Sequence, residues 1–219
     1  MPVTELAWIP SATPGSIPPA LVEAGRKGME AQSEWAARHA PATLPSGAPA
    51  ARGAALYQQR EDGGVALVTA HWDSAAQHRA CVASEGNRRA MEAIAPHARA
   101  AEITFFHVEG AWMLPPETLA AGLLSVVRIG VEGRGQVEEI WEQARGMLER
   151  RAGLAHMAGW RIEREQGWEE GREEFVVVGA WRDEGALDGF KDGRENQGWD
   201  EVWKGRVLDM DIKTYRRIA

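Results

Sequence analysis

The sequence predicts an α+β fold in which two ferredoxin-like βαββαβ repeats are fused within one chain of 219 residues. One observation is that the hydrophobic patterns of strand, helix, strand, strand, helix and strand occur twice along the chain. Another is that Val65–Asp73 matches Phe175–Asp183 at three identical positions when the chain is shifted by 110 residues. A period of this length is too long for a solenoid and indicates duplication of a whole small domain.

The elements of the first repeat follow from local signals. Ser16 and the prolines 18 and 19 are typical of a helix start, and an Asp-Gly-Gly turn at 62–64 predicts a hairpin. Ser74 and Gln77 form a capping box before a second helix. The predicted elements are a strand at 3–9, a helix to about His39, a proline-containing loop at 41–49, strands at 53–60 and 65–72, a helix to Pro96 and a strand at 101–109.

The second repeat shows the same order. Val137, Ile140, Trp141 and Ala144 recur with the helical period of 3.6 residues. The predicted elements are strands at 123–131, 157–166, 174–181 and 207–218, and helices at 137–148 and 183–206. The predicted division of the chain is therefore a first repeat at 1–110, a linker at 111–122 and a second repeat at 123–219.

Each repeat is expected to place both helices on one face of a four-stranded sheet. The other face is an apolar patch too large to leave in water, so we expect it to pack on the equivalent face of the twin repeat. The space between the two sheets then becomes the predicted ligand pocket.

Composition narrows the class of partner. The formal net charge of −7 argues against nucleic acid and against anionic membranes as partners. A single cysteine, Cys81, suits a reducing compartment, and the N-terminus lacks the pattern of a signal peptide. No Cys and His spacing matches a zinc site, so no metal is predicted. We expect a cytoplasmic protein, a monomer or weak homodimer, with a small-molecule substrate.

Trp72-Asp73-Ser74 at a strand end, with Ser84–Asn87 in the following helix, resembles the antibiotic-biosynthesis-monooxygenase branch of the dimeric α/β barrels. The resemblance implies a pseudo-dimeric α/β barrel made by one chain. It also implies activities such as cofactor-free oxygenation of polyketide anthrones, cyclisation or haem degradation. Trp72 matches the tryptophan that oxygenases of this family place near the end of their third strand. The family's first-strand Asn is missing, and Val82 stands where haem-degrading members have a histidine.

Candidate site residues are those expected to face the space between the sheets. Either His107 or His71 is the predicted base, because histidine titrates near neutral pH. Arg128 is the predicted anion stabiliser, and Asp211 is a second possible base beside it. The predicted substrate-binding residues are the aromatic and acidic side chains Trp8, Tyr57, Trp72, Phe105, Trp160 and Asp209.

Three functions stay open at this point. The first is a cofactor-independent enzyme of secondary metabolism that acts on an aromatic or polyketide-like molecule. Its reaction would be monooxygenation, or a cyclisation, dehydration or rearrangement driven by proton transfer. The second is a non-catalytic protein that binds a hydrophobic small molecule, and the third is a haem protein.

Overall fold

The computed structural model describes residues 1–39, 48–109, 114–135, 137–152, 155–191 and 197–219. Its strands are β1 (Val3–Pro10), β2 (Ala55–Gln59), β3 (Val65–Trp72), β4 (Thr104–Glu109), β5 (Leu123–Glu132), β6 (His156–Arg161), β7 (Arg172–Trp181) and β8 (Asp209–Arg217). Its α-helices are α1 (Pro19–His39), α2 (Ala75–Val82), α3 (Glu85–Ile94), α4 (Pro116–Leu119), α5 (Val137–Ala152), α6 (Glu184–Lys191) and α7 (Gln197–Trp203). None of these described helices is long and apolar enough to cross a membrane.

Several predicted elements differ in detail from the structure. The helix predicted from Ser74 to Pro96 is two helices, because Ser84 caps α3 by accepting a hydrogen bond from the backbone N–H of Asn87. The strand predicted to reach Gln166 ends at Arg161. The helix predicted at 183–206 comprises α6 and α7, with 192–196 outside the described residues. Most of the predicted loop at 41–49 and the start of the predicted linker also lie outside them.

The described strands close into an antiparallel barrel in the order β1-β3-β2-β8-β5-β7-β6-β4. The two sheets join at the seams β2–β8 and β4–β6. Alternate side chains point inward and form one buried cluster that includes Leu6, Leu67, Phe106, Leu124 and Val178. The α+β fold with two ferredoxin-like repeats facing each other is thus confirmed, and most of the space between the sheets is packed core.

Outward-facing side chains of each sheet pack under the helices of their own repeat. In the first repeat this helix–sheet layer contains Val3, Ala7, Val68 and Trp72, covered by α1, α2 and α3. In the second repeat it contains aromatic and aliphatic side chains of β7 and of α5, α6 and α7. Among them are Trp141, Phe175, Trp181, Leu187, Trp199 and Trp203. The described residues therefore form three apolar clusters, one inside the barrel and one under each helical layer.

Strand pairing corrects the register of the duplication. Val3 pairs with Trp72 in the first repeat, and Leu123 pairs with Trp181 in the second. These pairs relate β3 to β7 by a shift of 109 residues, one fewer than predicted. Trp72 and Trp181 therefore occupy equivalent positions under the helices, and Ser74 and Asp183 are equivalent N-terminal caps. The predicted register was wrong because valine- and alanine-rich strands match at several shifts.

One end of the barrel is closed by the segment at 114–121. The Tyr57 hydroxyl donates hydrogen bonds to the carbonyls of Leu119 at 2.6 Å and Ala121 at 2.9 Å. His71 bonds the Leu114 carbonyl at 2.8 Å through its Nε2. Since a carbonyl only accepts, His71 is protonated on Nε2, and its Nδ1 accepts from the Thr4 hydroxyl at 3.0 Å. This plug leaves the other end of the barrel as the open mouth.

Candidate functional site

The open end of the barrel holds a cavity of about 550 Å³, which we call the mouth pocket. Its aromatic lining includes Trp8, Phe105, Phe106 and Tyr215. The Trp8 indole donates a hydrogen bond to the Tyr215 hydroxyl at 2.9 Å. The charged lining residues are Arg128, Arg161, Glu163, Arg164, Glu165, Asp211 and Lys213. This pocket is an open part of the space between the two sheets of described strands.

The charges of the mouth pocket are largely paired. Arg128 donates to the buried Glu174 from both Nε and Nη2, at 2.9 and 2.8 Å, and to Glu165 at 2.9 Å. Burial alone would lower the pKa of Arg128, but these carboxylates outweigh it and raise the pKa. The Asp211 carboxylate lies 2.9 Å from the Lys213 ammonium. The roles assigned to Arg128 and Asp211, anion stabiliser and base, stay predictions.

The sequence-predicted residues separate into distinct environments. Trp8, Arg128 and Asp211 line the mouth pocket from inward-facing positions, and Phe105 also lines it although it shares the outward face of β4 with His107. The others do not face it: Tyr57 and His71 lie at the plugged end, His107, Trp72 and Trp160 lie on the helix side of the sheets, and Asp209 pairs with Arg172 at 2.7 Å.

His71 and His107 therefore do not share one cavity, which corrects the premise on which both were chosen as bases. Phe106 and Val108 point into the barrel, so their neighbour His107 points outward. The imidazole of His71 uses both ring nitrogens in hydrogen bonds, and burial lowers its pKa to about 4. His71 is thus a structural residue of the plug.

A second cavity, of about 280 Å³, lies between the first repeat's sheet and its helices, and we call it the helix–sheet pocket. Apolar side chains such as Val68, Met91 and Ile94 form most of its wall. Gly25 and Gly28 on α1 also line it, so this part of the helix surface contributes no side chain to fill the space. The polar lining residues are Glu5, Gln32, His78 and Asn87.

A row of polar contacts runs beside this pocket. The Trp72 indole donates to Glu5 Oε2 at 2.8 Å, and the His78 ring stacks on Trp72 with centroids 4.5 Å apart. His78 Nδ1 and His107 Nε2 are hydrogen-bonded at 2.8 Å. His107 Nδ1 bonds Glu163 Oε1 at 2.7 Å, and the backbone N–H of His107 donates to Glu163 Oε2 at 2.8 Å. Glu5, His78, His107 and Glu163 therefore form one connected set.

The tautomers follow from these contacts. With both imidazoles neutral, His107 donates to the Glu163 carboxylate from Nδ1–H, and its Nε2 accepts from His78 Nδ1–H. His78 Nε2 then carries a lone pair, lies 3.3 Å from Glu5 Oε2 and makes no hydrogen bond. An unprotonated nitrogen and a carboxyl group are thus held together beside the pocket.

Burial is the largest cause of the pKa shifts of Glu5 and His78. Burial raises the pKa of Glu5 from 4.5 to about 7, against the opposing effects of the Trp72 hydrogen bond and the charge of Arg52. Burial also lowers the pKa of His78 to about 3, with the charge of Arg52 acting in the same direction. At neutral pH, Glu5 therefore exists in both protonation states beside a neutral His78, which is the condition that favours a general base.

Arg52 and Trp72 fix the position of Glu5. The Arg52 guanidinium carbon lies 4.2 Å from the centroid of the Trp72 ring, and its Nη2 donates to the His71 carbonyl at 2.7 Å. Arg52 and Trp72 are both buried, and the indole N–H holds Glu5 Oε2. Because Oε2 is held in this way, the other carboxylate oxygen of Glu5 is left for further contacts.

The equivalent positions of the second repeat carry different side chains. Pairing across the strands makes Ser125 equivalent to Glu5, and Thr214 equivalent to His107. Trp181 donates to the Ser125 hydroxyl at 2.8 Å, as Trp72 does to Glu5. The position of His78 is taken by the fully buried Leu187.

Glu61 corresponds to Glu163, since the β2–β8 and β4–β6 seams pair equivalent residues. Glu61 accepts from the Thr214 backbone N–H at 3.0 Å and from its hydroxyl at 2.8 Å. A glutamate that accepts a hydrogen bond from the backbone of the neighbouring strand therefore stands at the seam in both repeats. At the equivalent positions, the two histidines and the buried Glu5 occur in the first repeat alone.

Sequence reasoning missed Glu5, His78 and Glu163. Glu5 interrupts an apolar stripe formed by Val3, Ala7 and Ile9, and a lone acid in such a stripe was an available signal. His78 was not among the predicted site residues, although only 1% of its surface is exposed. No local signal joins Glu163 to His107, because their contact depends on the pairing of β4 with β6.

The described strands form a closed antiparallel barrel with helices on its outside, built from two ferredoxin-like repeats of one chain. No protein-family model and no curated protein sequence matches the chain. The fold assignment comes from solved structures.

A crystal structure of an anthrone oxidase-like protein aligns with a TM-score of 0.59 and 14% identity, over 100% of this chain and 92% of that one. A candidate monooxygenase from Lactobacillus acidophilus aligns with a TM-score of 0.53 and 12% identity, over 99% and 93%. A heme-binding protein from Thermus thermophilus aligns with a TM-score of 0.55 and 10% identity, over 100% and 92%. These similarities establish the fold.

The helix–sheet pocket does not suit haem. Its volume of about 280 Å³ lies at the low end for drug-sized ligands, whereas a porphyrin needs a wide slot. A haem iron also needs an axial side chain, and the one candidate on this wall is His78 Nε2, which has Glu5 Oε2 3.3 Å in front of it. The described residues likewise contain no group of three or more His, Cys, Asp or Glu side chains arranged to bind a metal.

Proposed function

We propose that this protein is a cofactor-independent enzyme that removes a proton from an aromatic or polyketide-like small molecule, with Glu5 as the base. The observation that carries the proposal is the position of Glu5. Its carboxyl group is buried at the helix–sheet pocket and forms no salt bridge with arginine or lysine among the described residues. A carboxyl group placed in this way costs free energy of folding, and such a cost is typical of a functional position.

The pocket suits a flat, largely apolar substrate with an acidic C–H or O–H group. Apolar walls would hold the rings, and the amides of Gln32 and Asn87 could donate hydrogen bonds to substrate oxygens. Glu5 takes the proton, and the negative charge delocalises into the substrate. The resulting carbanion can react with dioxygen, which is monooxygenation, or can proceed to cyclisation, dehydration or rearrangement.

Anthrone is a suitable probe, because its C10 protons are acidified by two aryl rings and the ketone. The first test is exchange of these protons in D₂O without oxygen, followed by mass spectrometry. We expect wild-type protein to accelerate the exchange and Glu5→Gln to lose at least about 100-fold of that rate, the usual contribution of a general base. Glu61→Gln is the matched control and should stay within about twofold of wild type.

Admitting dioxygen then separates the reaction types. In monooxygenation, anthrone and dioxygen give anthraquinone and water, and product should form at the rate of proton removal. Exchange without anthraquinone above background would indicate a proton-transfer reaction such as cyclisation or rearrangement. Binding of anthrone without exchange would contradict the proposal and favour a non-catalytic binding protein, as would full activity of Glu5→Gln.

A further inference from the structure

We propose that Glu163, His107 and His78 form a proton relay between Glu5 in the helix–sheet pocket and solvent in the mouth pocket. The inference deepens the proposed function, since it rests on Glu5 as the group that gains and loses a proton. It assigns the three side chains a task that packing alone does not require.

The relay connects two neighbouring cavities that share Ile103 and Phe105 as wall residues. Glu5 and His78 line the helix–sheet pocket, and Glu163 lines the mouth pocket. Between them, His107 is fully buried and reaches His78 at 2.8 Å and Glu163 at 2.7 Å. The least ideal step is the contact of His78 Nε2 with Glu5 Oε2 at 3.3 Å. A protonated Glu5 can donate there, because that nitrogen carries a lone pair.

The proton transfers from Glu5 through the two histidines to Glu163 conserve the number of protons. A proton taken up on the free oxygen of Glu5 reaches the oxygen beside His78 by rotation of the carboxyl group, and it passes to His78 Nε2 while His78 Nδ1–H passes to His107 Nε2. His107 Nδ1–H then passes to Glu163, which releases the proton to water in the mouth pocket. One proton enters and one leaves, and Glu5 returns to its carboxylate form. Both imidazoles end in the opposite tautomer and return to the original one by ring rotation or by reverse transfer.

A relay is useful because a bound substrate closes the direct path. The Glu5 side chain is only 4% exposed and would be covered by a ligand in the helix–sheet pocket. The Glu163 side chain is 29% exposed and faces the larger pocket. The Arg79 guanidinium lies 3.3 Å from Glu163 Oε1. Against the effect of burial, the hydrogen bonds from His107 hold the pKa of Glu163 below its usual range, which favours release of a proton to water.

Comparison with the second repeat distinguishes the residues of the relay from the contacts that hold the seam together. Glu61 accepts a hydrogen bond from the Thr214 backbone N–H, as Glu163 does from the backbone N–H of His107. No histidine continues the chain there, because Thr214 and Leu187 take the equivalent positions. The seam therefore needs a carboxylate for structure in both repeats, and the histidines add a conducting path in one.

The first test needs no substrate. In protein labelled with ¹⁵N-tryptophan, the Trp72 indole resonance reports the charge of Glu5, and its line shape near the titration midpoint gives the rate of proton exchange. Trp72→Phe assigns the resonance. We expect His107→Thr, which copies the second repeat, and Glu163→Gln to slow this exchange at least tenfold. The matched variant Glu61→Gln should leave it within twofold, and equal rates in all variants would overturn the relay.

The second test uses rescue by a proton carrier. Anthrone exchange by Glu163→Gln should fall at least fivefold and recover on addition of imidazole, which can enter the mouth pocket and accept the proton of His107. A structural defect would not respond to a buffer, so loss without rescue would contradict the relay. Failure of the proposed function gives a different pattern, because wild-type protein would then not exchange anthrone while the Trp72 line shapes still decide the relay.

Discussion

The two repeats share one backbone plan but use the layer under their helices differently. In the first repeat this layer contains a pocket, a buried acid and two connected histidines. In the second it contains Leu187, Trp199 and Trp203 in close packing, with Ser125 as the hydrogen-bond partner of Trp181. The two equivalent tryptophans, Trp72 and Trp181, donate to equivalent positions of the first strand of their repeats.

The difference teaches that a few positions decide what a helix–sheet layer does. Glu5, His78 and His107 correspond to Ser125, Leu187 and Thr214. A buried carboxyl group and uncharged imidazoles oppose folding, whereas serine, leucine and threonine at the same places do not. Duplication allows the second repeat to supply stability while the first carries the costly groups.

The largest expected effect comes from giving the first repeat the second repeat's residues. The triple variant Glu5→Ser, His78→Leu and His107→Thr should fold, since the equivalent layer folds with these side chains, but should lose more than about 100-fold in anthrone C10 exchange. Ser keeps an acceptor for Trp72. Exchange rates by mass spectrometry, with circular dichroism to confirm folding, check this outcome. Retained activity would remove Glu5 from the mechanism.

For stability, in contrast to activity, the larger loss is expected from truncating a side chain in the layer of the second repeat. Leu187→Ala should lower the free energy of unfolding by about 2–5 kcal/mol, because it opens a cavity in a closed apolar layer. His78→Ala should cost less than half as much, since one side of the His78 ring already faces a pocket. Urea denaturation of the two variants at pH 7 provides the comparison. Equal costs would show that the two layers are packed alike.

Stability should also depend on pH through Glu5. Because its pKa is raised from 4.5 to about 7 in the folded state, the protonated form is favoured by folding. The contribution of Glu5 is present below pH 4.5 and is lost as the pH rises through 7, by about 3 kcal/mol in total.

Comparison with Glu5→Gln isolates this contribution, since Gln32, His78 and the other neighbours are common to both proteins. Wild type should lose stability relative to the variant between pH 4.5 and about 7.5, as measured by denaturation at each pH. A difference independent of pH would show that Glu5 titrates normally.

The smallest expected effect comes from Gly28. A Cβ at this position would meet Ala90 at 3.7 Å and Ile94 at 3.8 Å, which are ordinary contacts. Gly28→Ala should therefore stabilise α1 by about 0.5–1 kcal/mol, the usual gain within a helix. The change moves the first layer toward the packing of the second and should narrow the helix–sheet pocket. A thermal melt checks the gain, and destabilisation would indicate that the pocket wall cannot accept a methyl group.

Much of the fold could be predicted from the sequence because periodicity, turn signals and capping residues are local. The repeat order and most strand positions followed from alternation, as for Val127 and Ile129 on either side of Arg128. The duplication register was wrong by one residue, and aligning Trp72 with Trp181, or Ser74 with Asp183, would have given the correct shift.

The candidate site could be predicted only in part. Trp8, Arg128 and Asp211 line one pocket because alternation puts them on the inner faces of their strands, and their roles stay predictions. Phe105 reaches the same pocket from the outward face of β4. The inner site was missed because its parts come from different elements: Glu5 from β1, His78 from α2 and Glu163 from the segment after β6. Their meeting depends on strand pairing and helix docking, which alternation within one strand does not encode.

The central claim is that Glu5 titrates near neutral pH within the first repeat, whereas the equivalent position of the second repeat does not titrate. The ¹⁵N-tryptophan spectrum tests it in one sample, since Trp72 donates to Glu5 and Trp181 donates to Ser125. Between pH 5 and 9 the Trp72 indole resonance should shift with a midpoint close to the Glu5 pKa of about 7, while Trp181 stays constant. A Trp72 resonance that does not move, or one that moves together with Trp181, would contradict the account.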